Sequence, residues 1–489
     1  MEQAIEIGST NESTESRPLA LKNRSTRLSV ARALDHVIFF SLLVTIALTA
    51  VPYGTVQPWW IALFECVVFF LGMLGLIEGL MSERWSLKNL SLATPLVALV
   101  LFILFQSLAL FSVADNSGFP GVKVAVSADP YNTRLVAVRL FALMVTGGLL
   151  LVYTSTKTRL RALISVVIGV ALASALFGVL RKDLQQGPGF FLPALINDNR
   201  GFAQFINRNH FGFLMEMALG LTLGLLFTKT ANRRRIFILL PAAAFLWIVL
   251  IISNSRGGIV ASLGQVLFLG VLLDPLRHLG TQLEVRGANR LRNLAGGFAL
   301  RVVLILCMVV LFAYGAAWVG GESVVTNFQL AENSFSQQGQ DEQQRANTSR
   351  KDIWSSTWKL IKSRPLAGVG FGGYWIAITK YHNASGDVTP QEAHNDYLEL
   401  LASGGLIGLA LASWFAVAFV RRARNTLHSP DPYLRAAALG ALVGIFGVMI
   451  HSFVDFGLHI TSNALILCVL IVIGVQRPNE TINARGTRA

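Results

Sequence analysis

Long apolar runs dominate this chain, and short polar connections punctuate them. Runs near 36–52, 59–80, 93–113, 135–153, 162–180, 211–228, 236–252, 259–273, 302–319, 398–420, 436–453 and 463–475 carry almost no charge. A helix needs about 20 apolar residues to cross a bilayer, with roughly 17 tolerated, so the pattern predicts an all-α polytopic membrane protein with about 12 transmembrane helices. The shortest runs are 259–273 and 463–475. Residues 1–30 have no apolar face and read as a disordered cytoplasmic tail. The first apolar run is long and lacks a small-residue cleavage site, so it reads as an uncleaved anchor. The chain divides into that tail, an N-terminal transmembrane bundle at 31–235, a core at 236–420, C-terminal helices at 421–475 and a tail at 476–489.

One long polar stretch, 320–397, breaks the pattern. Within it, Ser349 and Asp352 have capping-box spacing, and Ile353, Trp354, Thr357, Trp358 and Ile361 recur at helical spacing until Pro365 stops the run. This predicts an amphipathic helix at the membrane interface, with Arg350, Trp354, Thr357 and Ile361 on one face. Gly368, Gly370, Gly372 and Gly373 follow, and allow a close backbone approach to a ligand or to another helix.

Composition agrees with the pattern: 53% of residues are hydrophobic, 14% are charged and the mean hydropathy is +0.56. A net charge of +14 in a soluble chain would suggest a nucleic-acid partner. Here Lys and Arg gather at the termini and in the loops near 81–92, 154–161, 229–235, 274–301 and 421–435. That bias sets orientation, with both termini in the cytoplasm and 320–397 outside, and it removes the case for nucleic acid. Membrane lipids are then the chain's solvent. Cys66, Cys307 and Cys468 all lie in apolar runs, so neither disulfides nor a metal site is expected.

Ionisable residues within membrane segments are expensive and usually face a cavity or one another. Glu65, Arg139, Glu216, Arg256, His394, His451 and Asp455 all fall in the outer half of their predicted helices. Singly, each reads as a structural ion pair or a snorkelling group; jointly, they outline a polar cavity open to the outer face. Glu216 either orients an arginine or neutralises Arg139. His394, with Asn395 and Asp396 beside it, is the candidate general base, because imidazole titrates near neutrality and takes a proton from a hydroxyl nucleophile. Upstream, the loop 181–210 carries Arg200, Asn207, Arg208, Asn209 and His210. Arg208 reads equally as a phosphate ligand and as a headgroup-facing arginine, and His210 as a supporting group.

The run Asn254, Ser255, Arg256, Gly257, Gly258, then Arg350 to Trp354, Pro365 to Gly372, and His394, Asn395, Tyr397, Leu398 with Gly404 to Gly408 resembles the O-antigen ligase and polymerase family of bacterial envelope enzymes. The likeness covers approximately 236–420, and Asn207 to Phe211 resembles an upstream feature of the same family. The resemblance implies a membrane-embedded glycosyltransferase of the GT-C type in the bacterial inner membrane. It would take a glycan from an undecaprenyl diphosphate carrier on the periplasmic face, with inversion and without metal or cofactor. Arg256 and Arg350 would hold the diphosphate, and His394 would activate the acceptor hydroxyl. The acceptor would be lipid-, glycan- or protein-linked for a ligase, or a carrier-linked repeat unit for a polymerase. A transporter or flippase, the competing class, would show broken helices or pseudo-repeats at the membrane centre.

Overall fold

A computed structural model describes residues 16–83, 90–113, 122–184, 201–227, 233–272, 350–382 and 390–477, with three isolated helical positions at 303, 306 and 310. Among these residues, eight helices are long and apolar enough to cross a membrane, and three shorter apolar helices accompany them. In chain order they are α1 (Ser16–Thr49), α2 (Pro58–Ser82), α3 (Leu90–Gln106), α4 (Pro130–Tyr153), α5 (Lys157–Leu184), α6 (Arg208–Leu226), α7 (Arg233–Ile252) and α8 (Arg256–Leu272). The amphipathic α9 (Arg350–Ser363) is followed by α10 (Asp396–Leu427), α11 (Pro432–His451) and α12 (Thr461–Val475). The chain is an all-α polytopic membrane protein. Apart from those three positions, the apolar run at 302–319 and the loop up to Arg350 lie outside the described residues.

Three elements depart from the sequence reading. Helix α1 begins at Ser16, so residues 16–30 are helical rather than a disordered tail. Arg27 ties this extension to the end of α2, lying 3.6 Å from Glu83 and donating to the Leu80 carbonyl. The run at 93–113 stops being helical at Gln106, and Phe111–Val113 pairs antiparallel with Val122–Val124 in a two-stranded ribbon. Helix α10 is interrupted at Gly405, whose φ of 60° lies in the left-handed region.

Local chemistry explains four of the twelve helix starts. Asp129, Asn207, Asn395 and Asp431 each cap a helix by accepting a backbone N–H, and Pro130 and Pro432 occupy the first turn, where no N–H is needed. Between α7 and α8, Asn254 takes a left-handed conformation (φ 56°), which asparagine tolerates better than most residues and which ends α7.

Two backbone approaches position the site. Helices α6 and α11 cross where Gly220 and Gly224 face Gly440 and Gly444. A Cβ on Gly220 would overlap the backbone of Gly444, and one on Gly224 the backbone of Gly440. Both pairs have small-xxx-small spacing, which lets membrane helices approach closely. In the second approach, the break in α10 exposes carbonyls and N–H groups that the glycine segment satisfies. Val369 and Gly370 donate to the carbonyls of Ala402 and Ser403 (2.9 and 3.0 Å), while Leu406 and Ile407 donate to those of Pro365 and Leu366 (2.8 and 3.1 Å). Gly368 (φ 67°) sits where a Cβ would strike the Ser403 carbonyl, so the glycine run approaches a helix rather than a ligand.

Candidate active site

Asp455, just beyond the end of α11, is fully buried and collects side chains from distant parts of the chain. His394 Nδ1 lies 3.5 Å from its Oδ1, and Arg350 Nη2 lies 3.7 Å from its Oδ2. Asn209 donates to Oδ2 through Nδ2, and the Phe456 backbone N–H donates to Oδ1 at 2.9 Å. Burial alone raises a carboxyl's pKa, but the adjacent His394 imidazole, with His210 and Arg350, outweighs it and holds Asp455 well below the usual carboxylate range. Asp455 is therefore an anion at physiological pH. At 3.5 Å no hydrogen bond closes between it and His394, but the charge of Asp455 favours the proton on Nδ1 of His394 and so leaves Nε2 to receive one.

His394 sits in strained backbone. Its φ is 50°, a left-handed conformation that costs a residue with a Cβ roughly 1–2 kcal/mol. The flanking residues hold it there. Asn395 donates to the Phe453 carbonyl (2.9 Å) and Asp396 accepts from the Ser452 hydroxyl (2.7 Å). Trp354 of α9 donates to the Ala393 carbonyl (3.0 Å), and Glu399 accepts from the Ala393 N–H (2.9 Å). Asn395 and Asp396 thus fasten the start of α10 to the end of α11. Of the two α9 tryptophans, Trp354 turns inward for this contact and Trp358 is exposed.

The other candidate arginines arrive through neighbours. Arg208 opens α6 immediately before Asn209, and Arg256 opens α8 immediately after Ser255. Ser255 donates to Asn209 Oδ1 at 3.0 Å and accepts the Gly258 N–H at 3.3 Å. A chain of hydrogen bonds therefore runs from the turn that carries Arg256 through Asn209 to Asp455. Because Oδ1 of Asn209 accepts from Ser255, Nδ2 must face Asp455. Arg139 stands apart: the opposite charges acting on it are those of Glu65 and Glu392. Glu216 pairs with neither Arg139 nor a candidate phosphate-binding arginine. It is fully buried and lies 3.1 Å from Nδ1 of the equally buried His451, whose ring stacks on Phe213 at 4.1 Å. Nothing in the spacing of Glu216 and Arg139 along the chain points to this partner, which comes from α11.

Phe456 divides the site. Its ring meets His394 and His210 edge-on, at centroid distances of 4.7 and 4.9 Å, and His459 at 6.0 Å. Beyond Phe456, His459 Nδ1 lies 3.2 Å from Glu392, and its Nε2 lies 3.4 Å from Glu399 and 3.9 Å from Asp396. Partial desolvation lowers the pKa of His459, yet Glu392 and Glu399 outweigh it and hold the imidazolium well above its usual range. For Glu392, burial raises the carboxyl, but His459 brings it down to about 2. Glu392, Glu399 and His459 bring donor atoms within 4.8 Å of one another, a spacing that a divalent cation can bridge. Both imidazole nitrogens already face carboxyl groups, which outnumber the imidazole three to one. The sequence reading named Asp455 as a polar residue but not as the centre, placed Asn209 and Ser255 in motif runs without assigning them a role, and gave no role to Glu392, Glu399 or His459.

Residues 241–413 match the family model described as O-antigen ligase. Among curated proteins nothing matches the chain. The matched span contains Arg256, Arg350 and His394, whereas Asn209 and Asp455 lie outside it. The match supports a membrane enzyme of O-antigen ligase or polymerase type. Over residues 241–413 the chain is similar to the O-antigen ligase/polymerase family.

Proposed function

We propose that this protein is an inverting, metal-independent glycosyltransferase of the inner membrane, of the GT-C type. In this reading it moves a glycan from an undecaprenyl diphosphate carrier to an acceptor hydroxyl on the periplasmic face, as a ligase does. The observation that carries the reading is the convergence of His394 and Arg350 on the buried carboxylate of Asp455. Nε2 of His394 takes the acceptor hydroxyl's proton while Asp455 stabilises the imidazolium that forms. The acceptor oxygen bonds to the anomeric carbon from the face opposite the carrier. The bond from that carbon to the diphosphate oxygen breaks, and its electron pair leaves on the diphosphate. Arg350, Arg256 and Arg208 receive the developing negative charge, for which the planar guanidinium fork suits phosphate oxygens.

The test is transfer in reconstituted membranes from a lipid diphosphate donor. His394→Ala should abolish transfer while the protein still folds and inserts; full turnover in this variant would remove His394 from the chemistry. Supplying either a lipid-linked core acceptor or carrier-linked repeat units in the same assay separates the ligase from the polymerase.

A further inference from the structure

At the end of the bundle opposite His394, a cavity of about 750 Å3 opens between α1, α2 and the start of α5. The distribution of Lys and Arg assigns this end to the cytoplasmic leaflet. Its lining is divided by chemistry. Arg32, Asp35, His36, Glu78 and Arg159 supply charge and hydrogen-bonding groups, whereas Leu28, Phe39 and Phe40 supply apolar surface at the lipid boundary.

The charges are balanced rather than of one sign: two guanidiniums face two carboxylates. One pair is already closed. Arg159 holds both carboxylate oxygens of Asp35, donates to the Tyr153 carbonyl at 2.9 Å and lies over the Phe39 ring at 4.8 Å. The other two charges are not paired with each other. Arg32 uses Nε on the Leu28 carbonyl of its own helix (3.4 Å), and Glu78 accepts from the Tyr153 hydroxyl through Oε2 alone (3.0 Å). Glu78 is only 6% exposed, and its Oε1 makes no hydrogen bond and is not sealed from solvent, so it is open to a donor that enters the cavity.

A simple anion entering here would meet Glu78, and a simple cation would meet Arg32. A zwitterion that carries both signs a few bonds apart satisfies the two together. We infer that the cavity holds the headgroup of an ethanolamine-type phospholipid, with its phosphodiester on Arg32 beside His36, its primary ammonium on Glu78, and its acyl chains leaving along Phe39 and Phe40. Basic pockets between membrane helices hold phosphate headgroups, and the carboxylate adds selection for an amine with N–H donors, which choline lacks. The site is independent of the glycosyl-transfer reading.

The full-length protein, purified in detergent and offered equal amounts of chain-matched phosphatidylethanolamine, phosphatidylcholine and phosphatidylglycerol, should retain the ethanolamine lipid several-fold over the other two in native mass spectrometry. Glu78→Gln removes the negative charge and should turn the preference toward phosphatidylglycerol, an outcome that misfolding alone does not produce. Arg32→Gln, at an exposed position, should reduce retention of all phospholipids while leaving transfer activity intact. Equal retention of the three lipids by the wild type would overturn the proposal, as would a preference for phosphatidylglycerol. Protection against thermal unfolding by inorganic phosphate equal to that given by the ethanolamine lipid would reduce the site to a phosphate contact and overturn it as well.

Discussion

Two groups of imidazole and carboxylate flank Phe456, and they are built from the same residue types with opposite charge balance. On one side a single carboxylate, Asp455, is fully buried among Arg350, His394 and the Asn209 amide. On the other, a single imidazole, His459, more than a third exposed, faces Glu392, Glu399 and Asp396. Basic and hydrogen-bond-donating groups around a buried carboxylate suit the proposed role, in which the site receives a diphosphate and keeps a base aimed. Excess carboxylate around an imidazolium would repel that ligand and instead holds the 392–399 turn to the segment after α11. Stoichiometry of charge, rather than residue identity, separates a site for chemistry from a fastening.

The comparison breaks most severely if the frame that joins its parts is lost. Gly224→Leu should push α6 away from α11 and leave little folded protein by size-exclusion analysis, since the added side chain meets the backbone of Gly440. Next in size, Asp455→Asn should keep the shape but remove the charge that stabilises the His394 imidazolium, lowering the turnover number by on the order of 10²–10³-fold in the reconstituted transfer assay. If Glu392→Gln lowered turnover equally, the division at Phe456 would be wrong. Arg256→Lys should reduce transfer by on the order of tenfold or more, because an ammonium lacks the planar fork; equal activity would remove the bidentate role. Asn209→Ala should cost about tenfold in turnover with the Michaelis constant for donor little changed, since one hydrogen bond to Asp455 is lost and no donor contact is removed.

The smallest effect concerns the fastening. His459 has a folded-state pKa above its unfolded value, so its contribution is complete below the ordinary 6.5 and is lost as pH rises through the raised value. Glu392 has the opposite sign: its contribution is complete above the ordinary 4.5 and is lost as pH falls toward about 2. The melting temperature should therefore decline by a few degrees from neutral to alkaline pH in the wild type, and His459→Gln should flatten that decline. A wild-type profile as flat as the variant's would sink the fastening role.

What the sequence alone determined was the membrane class, the placement of most helices, α9 with its stop at Pro365, and His394, Arg256 and Arg350 as residues to watch. These follow from local quantities, since hydropathy over one run, helical spacing and capping chemistry need no knowledge of the partner. Only the tertiary structure decided which polar groups meet. Asn209 reaches Asp455 across 246 residues and Glu216 reaches His451 across 235, and neither distance is encoded in any window of the chain. One signal of the frame was present but went unread: Gly220 with Gly224 and Gly440 with Gly444 have the spacing of close-packed membrane helices. A glycine pair states that a backbone will come near, but the identity of that backbone is set by the packing of the whole bundle, and with it the assembly of the site.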